Sequence, residues 1–349
     1  MRQPRLKAPK HHPTAFYHCV SRIVNRDFVL LEQEREHFVR LMRMYESLCQ
    51  VRVITFCVLS NHFHVLVEVP RRPDVLPDES VVLEIIRQAF GKSVAGIVEA
   101  ELQHLRQIGA TAQAEQILNG WRARMWDISA FMKSLKQRFS QWFNKRHKRR
   151  GTLWEERYRS TLVEGGTALA MTAAYVDLNP VRAKLVTDPK DYRWCGYAQA
   201  VAGVKKARQG IEKAAQAQSS NPRPDGGSAE YYRTLLFTWG TASRARADGR
   251  SRGRIREEDY QSVLQAGGKL PVAEALRCRV RYFTDGAVIG GKDFVNAIFR
   301  ARRSRFGAKR KEGARRLRGV QQDDPAVELH VLRDLQVDVI RPAQGPPPP

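Results

Sequence analysis

The chain has 349 residues, with 60 Lys+Arg against 36 Asp+Glu and a formal net charge of +24. A hydrophobic content of 42% argues against disorder throughout, and no run approaches the roughly 18 apolar residues that cross a membrane, so no membrane partner is expected. An excess charge of this size calls for a polyanion, with nucleic acid foremost, and five cysteines without a CxxC pair exclude a disulfide framework and fit a reducing cytoplasm.

Residues 1–13 read as a basic arm: Arg2, Arg5, Lys7 and Lys10 are followed by no apolar segment, so a secretory signal is not expected. Ala15–Ile23 is rich in aromatic and β-branched residues and reads as a strand. Glu32–Cys49 carries apolar residues at helical spacing. Val51–Leu59 and His62–Val69 are strands joined by the turn-forming Ser60-Asn61, which gives the order strand, helix, strand, strand. Prolines break the chain at 70–77, and helical stretches follow at about 80–108, 111–124 and 128–147. Gly151–Val163 reads as a strand, and Thr167–Leu178 as a helix stopped by Asn179-Pro180, where Asn179 can cap a short further helix. Residues 201–228 are Ala-, Gln-, Ser- and Gly-rich and read as a linker. Residues 229–318 are helical and basic, a candidate DNA-binding region, and 319–349 read as a mostly disordered tail.

Three sets of residues carry chemistry. In the strand from His62, side chains alternate, so Phe63, Val65, Val67 and Val69 form an apolar face and His62, His64, Leu66 and Glu68 the other. Two imidazoles side by side can grip one metal ion; they can equally be a solvated surface pair, and Glu68 can be a partner of the site or a solvated carboxylate. Tyr175 and Asn179 are four apart and share a helix face, as nucleophile and ligand or as core residue and cap. Between 133 and 159 stand ten cations, Lys133, Lys136, Arg138, Lys145, Arg146, Lys148, Arg149, Arg150, Arg157 and Arg159, against Glu155 and Glu156. They are read as a phosphate-binding belt, with Phe131, Leu135, Phe139, Trp142 and Phe143 as the core face of their helix. A second run, Arg300–Arg318, follows two helical patterns (271–282 and 293–303) for which a helix-turn-helix is the expected form. Gly286–Asp293 mimics a phosphate-binding loop, but Asp293 stands where Ser or Thr is needed, so no nucleotide cofactor is expected.

His62-Phe63-His64, then Gly151–Ser160 (GTLWEERYRS), Tyr175–Ala183 (YVDLNPVRA) and Asp191–Trp194 (DYRW) occur in that order. Together they resemble the single-tyrosine HUH transposases, specifically the REP-associated tyrosine transposase branch, over about residues 13–200. The resemblance implies an α+β domain (14–200) with a ferredoxin-like antiparallel sheet of four to five strands, helices on one face, and a helical C-terminal extension. It implies chemistry on single-stranded or hairpin DNA of the REP palindrome class: His62, His64 and Asn179 would hold a divalent metal, Mg²⁺ or Mn²⁺. Tyr175 would attack to give a 5′-phosphotyrosine and a free 3′-OH. It favours a monomer over a dimer and a cytoplasmic, nucleoid-associated protein. The 70–128 segment is a helical insertion longer than the family norm. Two other readings stay open: a non-catalytic DNA-binding relative, and a rolling-circle initiator or relaxase, which often carries two tyrosines where Tyr175 stands alone.

Overall fold

A computed structural model describes residues 5–9, 12–217, 232–233, 236, 283, 286–307, 309–316 and 329–333. The expected order of elements opens the chain: β1 (Thr14–Arg22), α1 (Glu32–Leu48), β2 (Arg52–Val58) and β3 (His62–Pro70). Four helices follow, α2 (Glu79–Phe90), α3 (Lys92–Gln107), α4 (Thr111–Arg122) and α5 (Ile128–Arg146), before β4 (Arg159–Val163). The stretch expected at 80–108 is two helices because Gly91 takes φ +90°, a left-handed conformation that ends α2. Asp127 starts α5 by accepting hydrogen bonds from the Ser129 and Ala130 N–H groups.

These strands lie in the order β2-β3-β1-β4, all antiparallel, which is the ferredoxin-like arrangement. The α+β class therefore holds, but the sheet is larger than four or five strands. It continues through β5 (Val288–Gly290), parallel to β4, then β7 (His330–Leu332) and β6 (Arg315–Arg316), seven strands in all among the described residues. The glycine-rich Gly286–Asp293 segment thus contains a sheet strand, Val288–Gly290, and runs into the helix that starts at Lys292. β7 lies within the stretch expected to be a disordered tail. α10 (Lys292–Ala301) buries Val295, Ile298 and Phe299 and packs on β5 and β7. The other helix expected of a helix-turn-helix, 271–282, lies outside the described residues, as do most of 218–285, Arg318 and the rest of the tail.

Both sheet faces are covered, not one. Phe63, Val65 and Val67 meet α1, α2 and α5, where Phe38, Met42, Ile86, Phe131, Leu135 and Phe139 are buried. The opposite face meets α6 (Thr167–Asp177), α7 (Asn179–Arg182), α8 (Gly196–Val201) and α9 (Lys205–Gln216). The signal was in β2: the run Val-Ile-Thr-Phe-Cys-Val is apolar on both sides, as a doubly covered strand must be. Nearly every residue of α6 is buried, so this helix is apolar all round and lies between sheet and helices.

Three further expectations change. β4 begins only at Arg159; residues 151–158 are irregular because Trp154 turns inward, its Nε1 donating to Ser140 Oγ at 2.8 Å. The arm is partly docked: Leu6 is buried and the Arg5 guanidinium lies 3.5 Å from the centre of the Tyr158 ring and donates to the Tyr158 carbonyl. The 201–228 linker contains α9, whose buried stripe Ala207, Gly210, Ile211, Ala214 and Ala215 has helical spacing but consists mostly of Ala and Gly, which hides its periodicity. Small side chains bring α9 against β2: a Cβ on Gly210 would fall 2.1 Å from the Ile54 carbonyl oxygen. Gly210→Ala is accordingly expected to destabilise the fold by about 3 kcal/mol. Urea denaturation would show this, and an unchanged midpoint would mean that α9 does not seat on β2 as described.

Candidate active site

His62, His64 and their neighbours lie on the sheet face under α6. The antiparallel register pairs Arg22 with His62, Val20 with His64 and His18 with Leu66, so these side chains share that face. His64 is 2% exposed and His62 is half-buried, so the half-exposed strand expected from the alternation is instead a floor beneath helices. Their rings are 5.1 Å apart, centre to centre.

Hydrogen bonds fix both tautomers. The Asn61 amide donates through Nδ2 to the Arg26 carbonyl, so its Oδ1, 2.6 Å from His62 Nδ1, is the acceptor. His62 Nδ1 therefore carries the proton and Nε2 the lone pair. A longer relay does the same for His64. The Phe283 carbonyl can only accept, so His18 Nδ1, 2.8 Å away, donates to it. In neutral His18, Nε2 is then an acceptor, and His64 Nδ1, 3.0 Å from it, must donate. His64 Nε2 is left with its lone pair. Neutrality follows from burial, which pushes His18 and His62 down to about 4 and His64 well below its ordinary value.

Tyr175, on α6, faces these imidazoles. Its ring centre lies 5.7 Å from that of His64 and 5.8 Å from that of His18, edge to face in both cases. Phe283 stacks on it at 4.5 Å, and Tyr175 is 2% exposed. α6 is pinned through Asp177, which accepts from Thr55 Oγ1, Tyr232 Oη and the Tyr197 N–H; burial pushes its carboxyl up to about 7. Asn179, one turn beyond Tyr175, does not act as the expected cap. Its Nδ2 donates to the Tyr175 and Val176 carbonyls, which turns Oδ1 outward from the helix backbone as an oxygen donor.

Two imidazole nitrogens with fixed lone pairs and an amide oxygen fit a divalent cation, the other ring N–H of each histidine being held by an acceptor as at metal sites generally. Among the described residues no group of three or more His, Cys, Asp or Glu side chains is arranged to hold a metal ion. Any ion here would rest on this mixed set. Glu68 is not part of it: Arg52 and Lys213 take its carboxylate, two pleats from His64.

Of the ten belt cations, Lys133, Arg138, Lys145, Arg146, Lys148, Arg150, Arg157 and Arg159 are exposed. Arg149 is half-buried. Lys136 is turned inward, donating to the Glu156 carbonyl at 3.0 Å, and burial pushes its ammonium down to about 8, so it serves the fold. α5 packs on the face opposite Tyr175. The belt nevertheless reaches the histidine end of the sheet through 151–157, where Glu155 N–H donates to the Arg22 carbonyl and Arg22 pairs with His62. Residues 300–316 bear a further exposed group that includes Arg300, Arg302, Lys309, Lys311, Arg315 and Arg316.

Sequence reasoning missed His18, Phe283 and Arg182. No local pattern links His18 to His64, 46 residues away. Arg182 did carry a signal: with Tyr175 and Asn179 it completes an i, i+4, i+7 stripe.

The sequence model of IS200-like transposases matches residues 12–103 and 122–179, a span that holds His62, His64, Tyr175 and Asn179; the gap falls inside the segment expected as an insertion. Among solved structures, the chain is similar to a REP-associated tyrosine transposase bound to a REP hairpin. The identity is 13% over 58% of this chain and 87% of that one, with a TM-score of 0.38. Among curated proteins none matches.

Proposed function

We propose that this chain, whose residues 12–103 and 122–179 match the model of IS200-like transposases, is a single-stranded DNA endonuclease and strand transferase with Tyr175 as nucleophile. The observation that supports this best is the seating of Tyr175 against His64 of its own chain, 5.7 Å between ring centres, beside two imidazoles whose Nε2 lone pairs are fixed. Tyr175 Oη attacks phosphorus, the P–O3′ bond breaks, and the phenolic proton passes to the departing 3′ oxygen. The products are a 5′-phosphotyrosine and a free 3′-OH, which can reverse the step on another end without ATP. His62, His64 and Asn179 would hold Mg²⁺ or Mn²⁺, which when bound supplies Lewis-acid polarisation of the scissile phosphate. Imidazole ligands lean toward softer ions than Mg²⁺, which favours Mn²⁺ in vitro. Phe283 covers the tyrosine, so DNA reaching it displaces that ring. A monomer acting in cis suits a tyrosine that sits on its own chain's histidines.

The substrate class, hairpins of the REP palindrome type, rests on the motif resemblance. Incubating wild-type protein with end-labelled single-stranded hairpins in Mn²⁺, Mg²⁺ or EDTA is the test. Metal-dependent cleavage leaving a free 3′-OH supports the proposal; tight binding with no cleavage in any condition supports the DNA-binding reading, which the buried position of Tyr175 favours.

The belt gives a second expectation. Replacing Lys145, Lys148 and Arg150 together by Gln should weaken binding to all hairpins alike. It should also flatten the plot of log affinity against log salt by about 2, at ~0.7 per phosphate contact on single strands. Fluorescence anisotropy across a salt series reads both, and an unaltered slope would remove α5 from the DNA path.

A further inference from the structure

Arg182 closes α7 two helical turns from Tyr175, on the same face. Its guanidinium carbon lies 4.5 Å from the centre of the Tyr175 ring. Nε, Nη1 and Nη2 are all buried, and none has a hydrogen-bond partner among the described residues. A guanidinium is charged at any working pH and carries five N–H donors, so leaving all of them dry and unanswered is costly. Among the described residues its compensation is the face of the Tyr175 ring, and a cation–π contact satisfies none of the donors. Salt-bridged arginines elsewhere in this fold, such as Arg52 on Glu68, find carboxylates. An anion that offers two oxygens to the guanidinium fork would answer these donors.

We propose that Arg182 is the cation that receives the scissile phosphate, its N–H groups binding the two non-bridging oxygens while Tyr175 attacks. This inference rests on the reading of Tyr175 as nucleophile. The phosphodiester carries one negative charge, and as the Tyr175 Oη–P bond forms and the P–O3′ bond breaks, charge accumulates on those non-bridging oxygens. A guanidinium already in place and dehydrated opposes that charge without reorganising, and its planar fork matches the phosphate edge. Once the phosphate is bound, Arg182 exchanges an unanswered burial for a charge-assisted pair. The same contact holds phosphorus over the phenol, since Arg182 and Tyr175 share one helical face.

The test uses the full chain and two linkages at the cleavage position of a single-stranded hairpin, the natural phosphodiester and a methylphosphonate, which lacks the negative charge. Adduct formation is followed in single turnover for wild type, Arg182→Met and Arg182→Lys. Arg182→Met keeps the stem over the tyrosine and loses the charge. It should slow adduct formation on the phosphodiester by about 10²–10³-fold, and should approach the wild-type rate on the methylphosphonate, where no charge needs opposing. Arg182→Lys should fall between, because a point charge cannot bind both oxygens. Thermal unfolding of Arg182→Met should occur at or above the wild-type temperature, since an unpaired buried charge has been removed. An equal slowing on both linkages together with a lower unfolding temperature would make Arg182 a structural residue and overturn the inference, as would a wild-type rate for Arg182→Met on the phosphodiester. Absence of any adduct with the wild-type protein would overturn the reading of Tyr175 and this inference with it, so the two failures are told apart.

Discussion

Tyr175→Phe is expected to slow covalent adduct formation by at least about 10³-fold, the scale on which removal of a nucleophile acts, while DNA affinity stays nearly unchanged. The substitution removes one oxygen from a ring held by Phe283, His18, His64 and the Arg182 guanidinium. Ring packing does not depend on that oxygen, so α6 keeps its place and the exposed cations of the belt are untouched. Two measurements separate the effects: SDS-resistant complex on a denaturing gel, and binding by anisotropy without metal. If both are lost together, Tyr175 is a core residue whose hydroxyl serves the fold.

The second large effect concerns the histidines. His64→Ala should abolish metal-dependent cleavage, because it removes one of the two imidazoles that would hold the ion. His18→Phe is the more informative variant. It keeps a flat ring in the same place but ends the relay from the Phe283 carbonyl through His18 to His64 Nδ1. His64 is then free to carry its proton on either nitrogen, and the part of its population protonated on Nε2 has no lone pair to offer the ion. Divalent-ion affinity, measured by calorimetric titration of Mn²⁺ into the protein alone, should weaken by about 10–100-fold, the range for loss of a group that orients a ligand. Because the readout is binding of the ion without DNA, it does not depend on turnover. Equal affinity in His18→Phe and wild type would mean that the relay does not fix His64.

Much of the site was legible in the chain because it is built from short-range spacing. Alternation along β3 put His62 and His64 on one face, and the four-residue step from Tyr175 to Asn179 put them on one side of a helix. What spacing cannot give is which elements meet. That His18 lies diagonal to His64 follows from the β1–β3 register, and that α6 covers the histidine face follows from the burial of Leu66, Ile54 and Cys57 against it. The resemblance implied helices on one face, and alternation gave His62, His64 and Glu68 a polar reading that agreed with it, but Glu68 is buried in an ion pair with Arg52 and Lys213. α9 was taken as linker because alanine and glycine carry little hydropathy contrast, although small size is what lets that helix lie on β2. The strands β5 to β7 are two or three residues long, too short for alternation to register.

One measurement bears on the central claim most directly. Wild-type protein is reacted with a single-stranded hairpin in Mn²⁺, digested with protease and nuclease, and the nucleotide-bearing peptide identified by mass spectrometry. The account predicts one modified peptide, carrying a 5′-linked nucleotide on Tyr175 and absent when EDTA is present. A nucleotide on any other residue, or cleaved DNA with no modified peptide at all, would contradict it.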